Sequence, residues 1–343
     1  MEEQAHDFVG HILTSALQRG ASDVYLIPSI HGVNVRMRID GVDEDVVTLP
    51  TEYGTRCVAR LKVLAGLLTY ITKTPQDGAI RDLPDASKAE LRVAVVSTNC
   101  GERVAIRLMQ SGSHYKFIDD LVFPDAIIKL LRRALELPSG LIILTGPTGS
   151  GKSTTIYALV RELLRHQHDP ASILTIEDPI ECRIDSISQI SVAGTSQGGY
   201  ASALRAVLRQ DVKTIVIGEM RDREVVQVTI DAALTGHRVI TTYHAGDIPG
   251  VYARLLHAGI ESFLVAAAVT AVLTQRLLPS GVGNRRVPMV AGLLADDGWR
   301  DFVASNPGLV QLRRRIQDYP EADLHAAAAQ MTESGRIPRS IRV

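Results

Sequence analysis

A glycine-rich segment at residues 146–153, Gly-Pro-Thr-Gly-Ser-Gly-Lys-Ser, fits the phosphate-binding pattern GxxxxGK[ST]. It follows an apolar, strand-like segment (141–145) and precedes a segment with helical periodicity (152–165). Glycines let the backbone approach a phosphate closely, and N–H groups at a helix start point towards its oxygens. Lys152 can then reach the β- and γ-phosphates of ATP, while the Ser153 hydroxyl can ligate Mg²⁺. The predicted nucleotide contacts here are Gly146, Pro147, Thr148, Gly149, Ser150, Gly151, Lys152, Ser153 and Thr154.

Two further apolar segments end in carboxylates. Residues 173–177 (ILTIE) end in Glu177, and residues 214–219 (TIVIGE) end in Glu219. Ligands bind beyond the carboxyl ends of strands in open α/β sheets, so both acids are candidates for the site. A carboxylate there can orient or deprotonate the attacking water. The alternative for each is a carboxylate that is merely solvated at the end of a strand and has no catalytic role.

Two histidines, His237 and His244, flank a third apolar segment at residues 239–243. A lone histidine is more often structural than catalytic, although one at the end of a core strand can donate a hydrogen bond to a γ-phosphate. From residue chemistry alone, a structural and a catalytic part for His244 are equally compatible with the sequence.

The elements around these residues indicate an α/β fold. Short apolar strands alternate with helices between residues 141 and 243, which is typical of a parallel sheet covered on both faces, a RecA-like core. From residue 251 onward the pattern predicts mostly helix. The apolar run 263–273 (FLVAAAVTAVL) is shorter than the ~20 residues that span a bilayer, and we interpret it as a buried helix.

The N-terminal part shows a different pattern, with polar and apolar residues alternating at 33–39, 91–95 and 104–108. Asp40-Gly41 directly follows the first of these segments and predicts a hairpin. We therefore expect a small antiparallel sheet with helices on one face and arginines on the other. Arg92, Arg103 and Arg107 lie at alternating positions on that second face, either as solvated surface groups or as ligand contacts.

Length and composition set the frame for both parts. The 343 residues, 45% hydrophobic and 22% charged, are typical of a globular protein, and we expect domains at 1–112 and 125–343 with a linker at 113–124. Lys plus Arg (37) nearly equals Asp plus Glu (38), so charge does not favour nucleic acid. Three cysteines far apart predict neither a disulfide framework nor a zinc site. The acidic N-terminus lacks signal-peptide features, and we expect a cytoplasmic protein.

Four segments in this order resemble the Walker A, Asp box, Walker B and His box of the secretion-ATPase superfamily, which drives type IV pilus assembly and retraction and type II secretion. They are GPTGSGKSTT, ILTIEDPIE, RQD…VIGEMRD and TGHRVITTYHA. The segments ASDVYL, VRMRIDG, KVLAGL, TPQDGAI and LRVAVVSTNCGERVAIRL resemble the family's PAS-like N-terminal domain. The similarity runs from about residue 21 to residue 278.

The resemblance implies a homohexameric ATPase with a RecA-like P-loop core, an α+β PAS-like domain and nucleotide between them. It assigns water activation to Glu219, the magnesium and water shell to Glu177, and γ-phosphate sensing to His244. Arg92, Arg103 and Arg107 become candidates to neutralise phosphate charge, and His237 joins the candidate nucleotide contacts. The expected partner is the inner-membrane platform protein of a pilus or secretion machine, which would hold the ring peripherally at that membrane.

Four departures from the family pattern stand out. Gly218 occupies a position where an Asp usually binds the metal shell, and Val212-Lys213 replaces a DP-type pair. We expect neither the extra N-terminal domain nor the zinc-binding tetracysteine module of assembly-type members, as in retraction-type members. VRMRIDG, KVLAGL and TPQDGAI are nevertheless closer to the assembly type, so the direction of motion stays open.

Two rival functions share this core. A nucleic-acid translocase or packaging motor is disfavoured by the near-neutral charge and the lack of a basic, aromatic-rich groove. A binding-only regulatory subunit is disfavoured because the glycine-rich, glutamate and histidine motifs are intact.

Overall fold

The structure is a computed structural model, and it divides the chain into two compact units, Met1–Gly112 and Ser113–Val343. The described residues are 2–39, 41–80, 90–109, 117–166, 169–192, 199–280 and 286–338. Each unit has its own sheet and its own hydrophobic core.

The first unit is a six-stranded sheet with two helices among its described residues. Its elements are α1 (Glu2–Gln18), β1 (Ala21–Ser29), β2 (Gly32–Ile39), β3 (Val42–Leu49), α2 (Thr51–Leu64), β4 (Gln76–Ile80), β5 (Glu90–Thr98) and β6 (Gly101–Met109). The strand order is β3-β2-β1-β6-β5-β4, and the pairings are antiparallel. The predicted hairpin is confirmed by the pairing of β2 with β3, although Asp40 itself lies outside the described residues.

Alternation along these strands explains how the first unit packs. Val93 of β5 and Ile106 of β6 are buried in one core with Leu13 of α1 and Leu61 of α2. The alternate residues of β5 and β6 whose side chains are described face away from the helices, and apart from the exposed Val96 they are polar or small. The expected antiparallel sheet, with helices on one face and arginines on the other, is confirmed.

The second unit is a seven-stranded sheet between helices. Its described helices are α3 (Asp125–Glu136), α4 (Lys152–Arg165), α5 (Gly199–Val207), α6 (Arg223–Leu234), α7 (Ile248–His257), α8 (Ser262–Ala268), α9 (Asp297–Ala304), α10 (Leu309–Arg315) and α11 (Leu324–Glu333). Its strands are β7 (Gly140–Thr145), β8 (Ile173–Glu177), β9 (Ser188–Ser191), β10 (Thr214–Ile217), β11 (Arg238–Tyr243), β12 (Val269–Pro279) and β13 (Arg286–Leu294). The order is β13-β12-β7-β11-β10-β8-β9, parallel throughout except for β13.

Helices cover this sheet on both faces, because alternate residues of its central strands enter two different cores. Leu141 and Ile143 of β7 pack in the core shared with α5 to α9. Ile142 and Leu144 pack in the core shared with α3 and α4. A strand buried on both faces needs apolar residues at every position, which is why β7 reads as an unbroken apolar run.

The apolar run at 263–273 corrects one expectation. Helix α8 ends at Ala268, and the chain continues as strand β12, which pairs with β7 on one side and β13 on the other. The expectation of a buried helix over the whole run, and of a mostly helical chain beyond residue 251, is therefore wrong for β12 and β13. Among the described residues, no helix is both long and apolar enough to cross a membrane.

Candidate functional site

The glycine-rich loop (146–151) joins the carboxyl end of β7 to the first residue of α4. Gly146, Gly149 and Gly151 have positive φ values of 141°, 73° and 89°, a region that side chains rarely adopt. A Cβ at Gly146 would also lie 2.1 Å from the carbonyl oxygen of Gln275. The loop therefore needs glycine at these positions. It leads directly into the N-terminus of α4, and helix N-termini bind anions.

Lys152 lies folded over this loop. Its Nζ atom donates to the carbonyl oxygens of Gly146 at 2.9 Å and Pro147 at 2.8 Å. Burial lowers the pKa of Lys152, and the negative charges of Glu219 and Glu181 oppose that shift. A cation held at a helix N-terminus, half removed from water, suits a phosphate group as its partner.

Gln275 of β12 supports the loop from below, and sequence patterns gave no sign of it. Its Oε1 atom accepts a 2.9 Å hydrogen bond from Thr155 of α4, and its side chain is buried. Its Nε2 atom lies where a Cβ at Gly151 would come within 2.7 Å. Gln275 thus contacts both ends of the loop, and 120 residues separate it from Thr155.

Glu219 and His244 meet beyond the ends of the neighbouring strands β10 and β11. The Nε2 atom of His244 lies 3.2 Å from Oε2 of Glu219. Arg221 contacts Oε1 of the same carboxylate, and its Nη1 atom donates to Asp178 at 3.1 Å. Thr242 of β11 fixes the approach to Glu219, since its hydroxyl donates to the carbonyl of Gly218 at 2.7 Å.

Gly218 is explained by its neighbour Tyr200 of α5. A Cβ at position 218 would lie 2.6 Å from the Tyr200 hydroxyl, so a side chain at this position would clash. The Val212-Lys213 departure leaves the backbone regular. The N–H of Lys213 donates to Ser172 at 2.8 Å, and its carbonyl accepts from Arg238 at 2.9 Å.

Glu177 is the most enclosed of the three predicted catalytic residues, only 7% exposed. Its Oε2 atom accepts a hydrogen bond from the Tyr157 hydroxyl, while Oε1 accepts from Thr175 at 2.6 Å and Gln189 at 3.1 Å. Both oxygens are thus occupied by protein donors. Of the roughly four acceptor positions of a carboxylate, these donors use three, which leaves one on Oε2.

His237 is separated from the other candidates of its unit. It precedes β11, whereas His244 follows β11, so about 20 Å of strand lies between them. Its Nδ1 atom lies 3.1 Å from the carbonyl oxygen of Ala232 in α6. Within the second unit, His237 therefore lies at the amino ends of the parallel strands, whereas the glycine-rich loop lies at their carboxyl ends.

Two of the three candidate arginines, Arg92 and Arg107, belong to a row of charges on the polar face of the first unit. In register across five strands stand Asp43, Arg38, Asp23, Arg107 and Arg92. Arg38 bonds to Asp43 at 2.7 Å, and Arg107 lies 3.2 Å from Asp23. Arg92 closes the row beside another arginine, an arrangement that costs free energy unless an anion is near.

Comparison with known proteins shows the family to which this chain belongs. Residues 2–316 match the family model described as type II/IV secretion system protein. The chain belongs to this family. The resemblance inferred from the four motif segments is thereby confirmed.

The relatives named below are longer than this chain. The chain is 38% identical over 293 residues to the type II secretion system protein HxcR of Pseudomonas aeruginosa, which covers 85% of this chain and 60% of HxcR. It is 38% identical over 270 residues to the type IV pilus assembly ATPase PilB of Myxococcus xanthus. That match covers 78% of this chain and 47% of PilB. The chain thus spans about half the length of these relatives.

Solved structures of similar proteins share the fold over nearly the whole chain. The pilus retraction motor PilT with bound ADP is 25% identical, with a TM-score of 0.71 and coverage of 96% of this chain and 94% of PilT. The ATPase DotB of Legionella pneumophila is 22% identical, with a TM-score of 0.81 and coverage of 97% and 93%. The DotB likeness is one of fold alone.

Proposed function

We propose that this secretion-family chain is a motor subunit that couples hydrolysis of Mg-ATP to a type IV pilus, type II-like or conjugative secretion machine. The proposal rests on one arrangement above all. Lys152 at the start of α4 and the Glu219–His244 pair both lie at the carboxyl ends of the parallel strands. The negative charge of Glu219 raises the pKa of Lys152, against the effect of burial. A phosphate-binding cation and a water-polarising carboxylate are the two groups that hydrolysis of a phosphoanhydride requires.

The residues present fit ATP and magnesium. The glycine-rich loop and Lys152 would hold the β- and γ-phosphates, and Ser153 would offer its hydroxyl to Mg²⁺. The described residues contain no group of three His, Cys, Asp or Glu side chains placed to hold a metal ion. A magnesium ion at Ser153 would therefore take most of its ligands from phosphate and water. Glu219 would polarise the attacking water, and His244 would donate towards the γ-phosphate.

The finer architecture follows from the same proposal. The second unit, from the linker at 113–124 to residue 343, would be a RecA-like P-loop core, and the first, residues 1–112, a PAS-like domain. Six copies would form a ring in which Arg92, Arg103 or Arg107 approaches the nucleotide phosphates. The ring would act in the cytoplasm, held peripherally at the inner membrane by a platform protein. Relatives named as secretion proteins and pilus assembly ATPases support this assignment.

The experiment is steady-state phosphate release from ATP with the wild-type chain and with Lys152→Ala. We expect magnesium-dependent hydrolysis by the wild type and a loss of at least about 100-fold in the variant, because one charged phosphate contact contributes several kcal/mol to the transition state. Lys129→Ala, on the remote helix α3, is the matched control and keeps wild-type activity. Activity of Lys152→Ala within twofold of the wild type would refute the proposed site.

A further inference from the structure

The hydroxyl of Tyr157 makes three hydrogen bonds, one to the last residue of β8 and two to the segment that follows β8. Tyr157 lies on α4, five residues after Lys152. Its hydroxyl donates to Glu177 and accepts the backbone N–H groups of Glu181 at 3.2 Å and Cys182 at 3.0 Å. A hydroxyl offers one donor and two acceptor sites, so this one is fully used.

The environment keeps the Tyr157 hydroxyl in this state. The side chain is only 6% exposed, so water does not compete for its bonds. Burial and the nearby charge of Glu177 both raise the pKa of Tyr157, which keeps the hydroxyl protonated and able to donate. A phenylalanine would fill the same space in the core, so the contribution of the hydroxyl can be separated from that of the ring.

Arg161, one helical turn further along α4, holds the same segment. Its Nη2 atom donates to the Sγ atom of Cys182 at 3.3 Å. Positions 157 and 161 are four residues apart and share one helix face. Two successive turns of α4 thus hold the segment 177–182.

This segment carries acidic groups that face the nucleotide-site residues. Asp178 bonds to Arg221, which also contacts Glu219. The charge of Glu181 acts on Lys152, and the Glu181 N–H is one of the two groups bound by Tyr157. The Tyr157 hydroxyl therefore connects α4 directly to the backbone of the segment that carries these acids.

We propose that Tyr157 is a positioning residue, whose hydroxyl couples phosphate-dependent shifts of helix α4 to Glu177 and to the acidic segment 178–182. The coupling rests on the proposed function, because it needs a nucleotide phosphate at Lys152. Its test therefore measures hydrogen exchange and nucleotide binding separately from hydrolysis.

The test compares the full-length wild type with Tyr157→Phe by amide hydrogen exchange at Glu181 and Cys182, with and without a non-hydrolysable ATP analogue and Mg²⁺. In the wild type, we expect the analogue to slow exchange at these amides at least fivefold. In Tyr157→Phe the amides lose their acceptor, so exchange without nucleotide is at least tenfold faster. The analogue then slows exchange less than twofold, with its affinity changed less than threefold.

Two control variants isolate the coupling. Tyr252→Phe removes the hydroxyl of another buried tyrosine, whose ring packs on Trp299 at 5.3 Å, and it keeps wild-type exchange at both amides. Thr175→Val removes a different donor to Glu177, one on β8 rather than α4, and it keeps the response to nucleotide. Arg161→Met weakens the second contact of α4 and is expected to halve the response.

Steady-state kinetics give the second measurement. If Tyr157 has a positioning role, we expect kcat of Tyr157→Phe to fall at least tenfold while KM changes less than threefold. A wild-type response to nucleotide in Tyr157→Phe overturns the coupling, and so does an equal loss in Thr175→Val. Faster exchange with an unchanged kcat reduces Tyr157 to a structural contact and also overturns it.

Failure of the proposed function is distinguishable from these outcomes. If the wild type binds the analogue in equilibrium dialysis but hydrolyses no ATP, the motor function fails, while the exchange measurement still decides the coupling. If the wild type binds no nucleotide, both proposals are overturned, and the dialysis measurement shows it directly.

Discussion

The Nε2 atom of His244 lies 3.2 Å from the Oε2 atom of Glu219, although 25 residues separate them in the sequence. The two residues follow neighbouring parallel strands, β10 and β11, whose ends meet at one edge of the sheet. Arg221 holds the other oxygen of the same carboxylate. These two contacts fix the orientation of the Glu219 carboxylate, and such preorganisation favours catalysis.

Replacement of Glu219 by glutamine should separate binding from hydrolysis. Glu219→Gln keeps the size of the side chain but loses the charge that polarises water, so we expect ATP to bind while hydrolysis falls by about 10²–10⁴-fold. Phosphate release and equilibrium binding of a labelled nucleotide measure the two effects. Glu224→Gln, at an exposed site on α6, is the control. If Glu219→Gln still hydrolyses ATP and Glu177→Gln does not, the roles assigned to the two carboxylates must be reversed.

Glu177→Gln should lower stability as well as activity. The glutamine NH₂ group would face at least one of the three donors that now bind Glu177, from Tyr157, Thr175 or Gln189. Leaving a buried donor without an acceptor costs about 1–3 kcal/mol. Chemical denaturation of the variant and of the exposed control Asp185→Asn tests this. Equal unfolding free energies for both variants and the wild type would show that the Glu177 bonds contribute nothing to stability.

The same edge of the sheet shows what local sequence patterns can and cannot predict. Helix α4 was expected at 152–165 and spans Lys152–Arg165, because a glycine-rich turn sets its start and apolar periodicity sets its length. Strand β12 was missed, because a strand buried on both faces has the same unbroken apolar run as a buried helix. Its β-branched residues Val269, Thr270 and Val272 were the available signal for a strand.

The candidate site divides in a similar way. Lys152, Glu219 and His244 could be named from the sequence because each follows or begins a recognisable element. Gln275 and Tyr157 could not, since their parts depend on hydrogen bonds to residues far away in the sequence. His237 illustrates the converse. It lies close to His244 in the sequence, but a strand between them places the two at opposite edges of the sheet.

A clash with Tyr200 should explain why glycine occupies position 218. Gly218→Ala places a Cβ 2.6 Å from the Tyr200 hydroxyl, and overpacking of this kind costs about 1–3 kcal/mol. Tyr200→Phe removes the clashing atom, so the double variant should recover part of that loss. A double-mutant cycle of unfolding free energies measures the coupling. Additive losses would place the cause of the glycine elsewhere.

The contacts of the three candidate arginines of the first unit lead to different expectations. Arg107 lies beside Asp23, whereas the ion pairs formed among the described residues include neither Arg92 nor Arg103. An arginine without a carboxylate partner is better placed to bind a phosphate, and its planar guanidinium suits phosphate oxygens better than lysine does. We therefore expect Arg92→Ala or Arg103→Ala to reduce ATPase activity more than Arg107→Ala. Arg36→Ala, on the same sheet face but paired with Asp45, is the control.

Mixing variants tests whether such an arginine acts on a neighbouring subunit. A Lys152→Ala subunit and an arginine-deficient subunit are each inactive alone, but a ring that contains both has some interfaces with neither defect. If the arginine reaches the neighbour's nucleotide, phosphate release should recover to a fraction of the wild-type rate at intermediate mixing ratios. If it serves its own subunit, every wild-type site is lost and no ratio restores activity. Activity per subunit should also rise with protein concentration as rings form, and a concentration-independent rate from a monomer would refute the ring.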